Sequence, residues 1–201
     1  MIFCGLTLRD DIEWDEEFKE SVDSKIRQNS INKVSNQKTE DFDKNANQFW
    51  DQFYGKHENK FFKDRHWLFT EFPELKDDSN EGTDVTILEL GCGVGNTVFP
   101  VLQINCSERL FVYCCDFSST AISLVKENPL YDQKRCKAFT LDMTCDEWSV
   151  PFAKSSLDMV TMIFVLSAID PNRFVFIKHL SQFVSTFNFI SFNDLKNAKN
   201  S

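Results

Sequence analysis

Phe42, Ala46, Phe49, Trp50 and Phe53 recur at the spacing of one helical face, and this predicts an amphipathic helix from about Thr39. A second helix carries Trp67, Leu68 and Phe72 and ends near Pro73. The polar run DDSNEGTD at residues 77–84 reads as a loop and a boundary. Beyond it, short apolar runs alternate with helical patterns. Strands are predicted at residues 86–90, 110–115 and 137–141, and in the near-continuous apolar run 157–166. One helix begins near Asn96, with Pro100 in or near its first turn, where proline is tolerated. The next presents Ala121, Ile122, Leu124 and Val125, is capped by Ser118 or Ser119, and stops at Asn128 and Pro129. Asp170 and Pro171 suit the N-cap and first turn of a helix through Phe183 or Val184, and residues 187–192 predict a fifth strand. Residues 1–38 are polar and acidic, with scattered Ile12, Trp14 and Phe18.

This alternation implies an α/β fold, a parallel sheet flanked by helices on both faces. Three regions follow: a flexible acidic arm over 1–38, a helical arm with a basic and aromatic segment over 39–84, and an α/β domain over 85–201. Such sheets bind ligands at the carboxyl ends of their strands, where the strand order reverses.

Composition narrows the setting. A chain of 201 residues suits one domain with an added arm, and 42% apolar residues, including 21 Phe, support a real core. The net charge of −9 argues against broad phosphate binding. Seven cysteines with no C-x-x-C pair read as reduced thiols of an intracellular, cytoplasmic protein. The start MIFCGLTLRDD lacks the basic n-region and apolar length of a secretory signal, and no apolar segment is long enough to span a membrane. His57 and His66 have no partner at metal spacing, so no metal is expected.

Candidate chemistry centres on ILELGCGVGN at residues 87–96, where a strand meets Glu89 and then Gly91, Gly93 and Gly95. The E-x-G-x-G-x-G spacing resembles the first motif of Rossmann-like, class I methyltransferases that use S-adenosylmethionine. It departs from the G-x-G-x-x-G of dinucleotide enzymes, whose third glycine would fall at Asn96. Asp116, 21 positions after Gly95, is placed to accept hydrogen bonds from ribose hydroxyls or to serve the helix start before Ser118. Asp142 after the third strand suits either an adenine amino group or a solvated turn. Glu89 suits loop orientation or a ligand ammonium. Ile163, Phe164 and Val165 belong to the core or line the methyl-transfer point. In KHENKFFKDRHW, residues 56–67, the bases Lys56, Lys60, Lys63 and Arg65 interleave with Phe61, Phe62 and Trp67. That mixture holds phosphates and stacks bases, or forms an ordinary packed arm with solvated lysines.

Several segments together resemble the methyltransferase-like enzymes that make 3-methylcytidine in tRNA anticodon loops. They are FWDQFY (49–54), KFFKDRHWL (60–68), EFPEL (71–75), ILELGCGVGNTVFPVL (87–102), YCCDFSSTAI (113–122), NPLYD (128–132) and IFVLSAIDP (163–171). The similarity runs from about residue 12 to about 180. It implies S-adenosylmethionine contacts from Trp50, Tyr54, Glu89, Gly91, Gly93, Asp116, Asp142 and Ile163. It implies that Lys60, Lys63, Arg65, His66 and Trp67 close over the cofactor or face tRNA. It also implies tRNA, and a tRNA-associated helper protein, as partners. No catalytic base is implied, because cytidine N3 already carries a lone pair.

Residues 181–201, SQFVSTFNFISFNDLKNAKNS, lack the Lys-Pro-Gly turn, the Arg-Asp-Tyr strand and the final strand pair of the family pattern. The expectation is a sheet without its last strands. Two other readings stay open: a non-catalytic member that binds only cofactor or a partner, and a methyltransferase of a small molecule or protein.

Overall fold

The structure is a computed structural model that describes residues 16–31, 36–76, 84–170, 173, 176–184 and 189–192. Its helices are α1 (Glu16–Ile31), α2 (Asn36–His57), α3 (Leu68–Glu71), α4 (Val98–Ile104), α5 (Ser119–Glu127) and α6 (Phe176–Phe183). Its strands are β1 (Val85–Leu90), β2 (Leu110–Asp116), β3 (Cys136–Thr140), β4 (Met159–Ile163) and β5 (Phe189–Phe192). Thr7–Ala46 forms a compact unit of its own, described by α1 and the first turns of α2; within it Asn45 Nδ2 donates to Asp41 Oδ1 at 2.8 Å. The second unit contains everything described from Asn47 onward.

In the second unit five parallel strands form one sheet in the order β3-β2-β1-β4-β5. The order reverses between β1 and β4, so the ligand crevice of such a sheet lies at the carboxyl ends of these two strands. Both faces are covered, which is why the strands read as apolar runs and not as alternations. Ile87, Val112 and Met159 pack with Val98 and Val101 of α4, Ile122 and Val125 of α5, and Leu68 and Phe69 of α3. Leu88, Leu90, Val160 and Met162 pack on the opposite face with Leu180 and Phe183 of α6.

Element starts and stops follow local chemistry. Ser118 is the N-cap of α5, its hydroxyl accepting from Ala121 N at 3.1 Å. Thr97 precedes α4, which leaves Pro100 in the first turn. α2 ends on Lys56 and His57, basic residues at the negative end of the helix dipole, and Glu58 (φ 51) then leaves the helix with its N–H on Tyr54 O at 2.8 Å.

The apolar run 157–166 is not one strand. Leu157 makes an isolated bridge to Val184, and β4 stops at Ile163 because Phe164 takes φ 61. Phe164, Val165 and Leu166 keep the run apolar because they still pack on the core after the strand has ended. α6 is described from Phe176; Arg173 N donates to Asp170 O at 2.8 Å, while the predicted Pro171 start and residues 187 and 188 of the fifth strand lie outside the described residues.

Candidate functional site

β1 delivers the chain into a tight loop at the crevice. Gly91, Gly93 and Gly95 have φ of 67°, 53° and 91°. An L-residue in such a conformation costs about 1–2 kcal/mol. Space is equally restricted there. A Cβ on Gly91 would meet the methyls of Val165, one on Gly95 the ring of Phe99, and one on Gly93 would stand 2.8 Å from Tyr54 Oη.

Asp116, at the end of β2, is buried and fastens this loop. Its Oδ2 accepts from Gly93 N and its Oδ1 from Ser118 N, both at 2.9 Å. Burial raises its pKa above the ordinary carboxyl value, the N–H groups of Ser118 and Gly93 draw it back, and the charge of Asp51 pushes it up again. Each oxygen retains acceptor capacity after one backbone bond.

Residues 60–67 are fastened to the same loop. Asn96 Nδ2 donates to Phe62 O (3.2 Å) and to Asp64 Oδ1 (3.1 Å), and Arg65 N donates to Asn96 O (3.0 Å). The residue that stands where a dinucleotide loop has its third glycine therefore binds the arm. Arg65 turns inward: Nη1 donates to Thr97 Oγ1 at 2.9 Å, lies 3.9 Å from Glu89 Oε1, and the guanidinium sits 5.2 Å from the centre of the Phe164 ring.

Glu89 is 1% exposed on the α4 face of β1. Neither of its oxygens has a hydrogen-bond partner among the described residues, and neither has Thr161 Oγ1 on the paired position of β4. Burial lifts the Glu89 pKa to about 7; Arg65 opposes the rise, as does the Thr97 hydroxyl, which lies close without reaching hydrogen-bond geometry. A buried carboxyl with open acceptors beside a glycine loop suits a ligand's cationic amine.

Tyr54 and Trp50, on α2, come over the loop as a pair of stacked rings 5.7 Å apart, and Tyr54 packs with Val94 and Ala121. Burial, then the charge of Asp116, raises the Tyr54 pKa, which keeps the phenol neutral. Asp142 follows β3, half-buried. Its Oδ1 accepts from Thr144 N (2.9 Å) and Thr144 Oγ1 (2.6 Å), and its Oδ2 lies 4.0 Å from Arg173 Nη2. Ile163 is buried at the end of β4.

Glu89, Gly91, Gly93, Asp116, Trp50 and Tyr54 thus gather around one loop, with Ile163 at the neighbouring strand end and Asp142 one strand beyond β2. Lys60, Lys63, His66 and Trp67 are exposed, with Lys60 paired to Glu58 at 2.6 Å and Trp67 6.2 Å from Phe164. Sequence reasoning missed the roles of Asn96, Thr97 and Asp51. Asp51 lies one helical turn before Tyr54, and that spacing was the available signal. Among the described residues no cluster of metal ligands occurs, and no helix is long and apolar enough to cross a membrane.

Residues 88–186 match the family model described as a methyltransferase domain. The chain is 46% identical over 197 residues to the tRNA N(3)-cytidine methyltransferase METTL2 of Xenopus tropicalis, covering 82% of this chain and 58% of that protein. It is 48% identical over 167 residues to the tRNA N(3)-methylcytidine methyltransferase Mettl2 of Drosophila melanogaster, covering 82% and 51%. The chain therefore spans between half and three-fifths of the length of these relatives. In fold it is similar to a chain from the complex between the Haloferax volcanii Trm112 methyltransferase activator and a methyltransferase, with TM-score 0.51 and 16% identity over 71% of this chain and 58% of that one. It is also similar to the CurJ carbon methyltransferase, with TM-score 0.50 and 19% identity over 60% of this chain and 31% of that one. Both likenesses are to the Rossmann-like methyltransferase fold.

Proposed function

We propose, for a chain that belongs to the family of tRNA N(3)-cytidine methyltransferases, that it transfers a methyl group from S-adenosylmethionine to cytidine N3 in a tRNA anticodon loop. The observation that carries this reading is the joining of residues 60–67 to the glycine loop through Asn96. It sets a basic and aromatic arm beside the cofactor loop, as a nucleic-acid methyltransferase requires.

The residues present fit the cofactor. Glu89 has buried oxygens without a hydrogen-bond partner among the described residues to meet its ammonium, Asp116 has remaining acceptor capacity for the ribose hydroxyls, and the three glycines let the loop take the positive φ of its tight turn. Asp142 serves the adenine amino group, Ile163 lies beside the transfer point, and Trp50 and Tyr54 cover the loop. The cofactor supplies an electrophilic methyl group. The chain's own residues position the base and exclude water. Cytidine N3 needs no deprotonation, so no general base is assigned. The methylated base is a cation, and the exposed aromatic ring of Trp67 suits its developing charge. The target base leaves its stack to reach the site. Lys60, Lys63 and His66 offer exposed donors for the RNA, with Trp67 beside them. Cytoplasmic residence and a helper protein that presents the tRNA belong to the same reading.

Incubation of the chain with unmodified tRNA and S-adenosylmethionine, followed by nucleoside mass spectrometry, tests it. The expected product is 3-methylcytidine at one anticodon-loop position. Methyl transfer to protein or small molecules alone, or none at all with cofactor bound, would replace it with one of the other readings.

A further inference from the structure

Asp51 belongs to α2, yet its carboxylate serves a different element. Its Oδ1 accepts from Ser118 Oγ at 2.6 Å and from Thr120 N at 3.0 Å. Thr120 N–H is one of the first-turn donors that α5 cannot satisfy internally, so the arm caps this helix from outside. Burial tends to raise the Asp51 pKa, but the hydrogen bonds from Ser118 and Thr120 outweigh it and keep the carboxyl below its usual range, hence charged.

Ser118 is fully buried and has all its polar groups engaged. Its hydroxyl donates to Asp51 and accepts from Ala121 N, while its N–H donates to Asp116 Oδ1. Among the described residues Asp51 alone accepts from this hydroxyl and sets its donor direction. One turn further along α2, Tyr54 places its hydroxyl over Gly93, whose N–H holds the other oxygen, Asp116 Oδ2. A single turn of α2 thus bears on both backbone groups that orient the Asp116 carboxylate.

We propose that Asp51 is a positioning residue, which acts through Ser118 to aim the Asp116 carboxylate at the cofactor ribose. It does not touch the ligand. The inference rests on the reading of Asp116 as the ribose acid. It adds that the aim of this acid depends on an arm helix packed against it, and not on the sheet alone. A carboxylate turned by a few tenths of an ångström loses a two-hydroxyl contact before it loses a general attraction.

The test compares binding of S-adenosylhomocysteine and its 2′-deoxyribose analogue to the full chain by calorimetry. Wild type is expected to prefer the hydroxylated ligand about tenfold or more. Asp51→Ala should weaken S-adenosylhomocysteine five- to tenfold and leave the analogue within about twofold, so the preference collapses. Asp51→Asn, which keeps an acceptor for the Ser118 hydroxyl, should restore most of it. Ser118→Ala cuts the same link from its other end, and decides the matter if Asp51→Ala does not fold. A variant that weakens both ligands equally, or neither, overturns the positioning role. A wild type that binds both ligands equally overturns the ribose reading of Asp116 instead.

Discussion

Arg65 Nη1 stands 3.9 Å from Glu89 Oε1, and this pair joins the arm to the first strand of the sheet inside the protein. The arginine is charged at all physiological pH, and its partner is a carboxyl whose burial costs more than this one neighbour returns. Burial alone would push Glu89 up further; with Arg65 beside it the carboxyl titrates at about 7.

That value fixes the sign of a stability effect. A glutamate in the unfolded chain titrates near 4.5. Between that pH and about 7 the folded protein keeps a proton that the unfolded chain has released, so stability falls as pH rises through this window and then levels. The drop is about 3 kcal/mol. Glu89→Gln removes it. Thermal melts of wild type and variant should differ by a constant below pH 4.5, and the variant should gain on wild type by that amount up to pH 8. Parallel profiles across the window would refute the assignment.

Two glycines on either side of the arm contact should behave oppositely. Gly93→Ala puts a methyl at positive φ, 2.8 Å from Tyr54 Oη, and should cost about 2 kcal/mol while displacing the Trp50–Tyr54 stack, read as a change in tryptophan fluorescence. Gly55→Ala, in α2 with nothing within 4 Å of the new methyl, should stabilise by about 0.5–1 kcal/mol. Equal effects would contradict the geometry.

Asn96→Ala removes both side-chain bonds to the arm, at Phe62 O and Asp64 Oδ1. Trypsin should then cut after Lys60 and Lys63 at least fivefold faster, while the melting temperature of the sheet shifts by only a few degrees. Unchanged cleavage would mean that other contacts hold residues 60–67.

Lys63 is exposed, whereas Arg65 is engaged with Thr97 and Phe164. Lys63→Ala should weaken tRNA binding and reduce its salt slope by about 1, with S-adenosylhomocysteine affinity unchanged. Loss of cofactor affinity in Lys63→Ala with tRNA binding intact would reverse that role.

Much of the fold was legible because it rests on local rules. The apolar runs of β1 and β2, the Ser118 cap and the glycine loop each follow from short stretches of sequence. β4 was overextended, since Phe164, Val165 and Leu166 are apolar for a reason unrelated to strand pairing: Val165 packs against Gly91 and Phe164 lies under Arg65. The glycine loop, Glu89 and Asp116 were visible from spacing. The contacts Asn96–Asp64, Arg65–Thr97 and Asp51–Ser118 were not, because each joins residues more than thirty positions apart. No periodicity encodes such pairs.

The most direct measurement is calorimetric titration of the 201-residue chain with S-adenosylhomocysteine, alongside Asp116→Ala. One-to-one binding that falls at least tenfold in the variant, with its fold intact by circular dichroism, is the predicted result. A folded wild-type chain that binds no S-adenosylhomocysteine, or a variant that binds it equally well, would contradict the account.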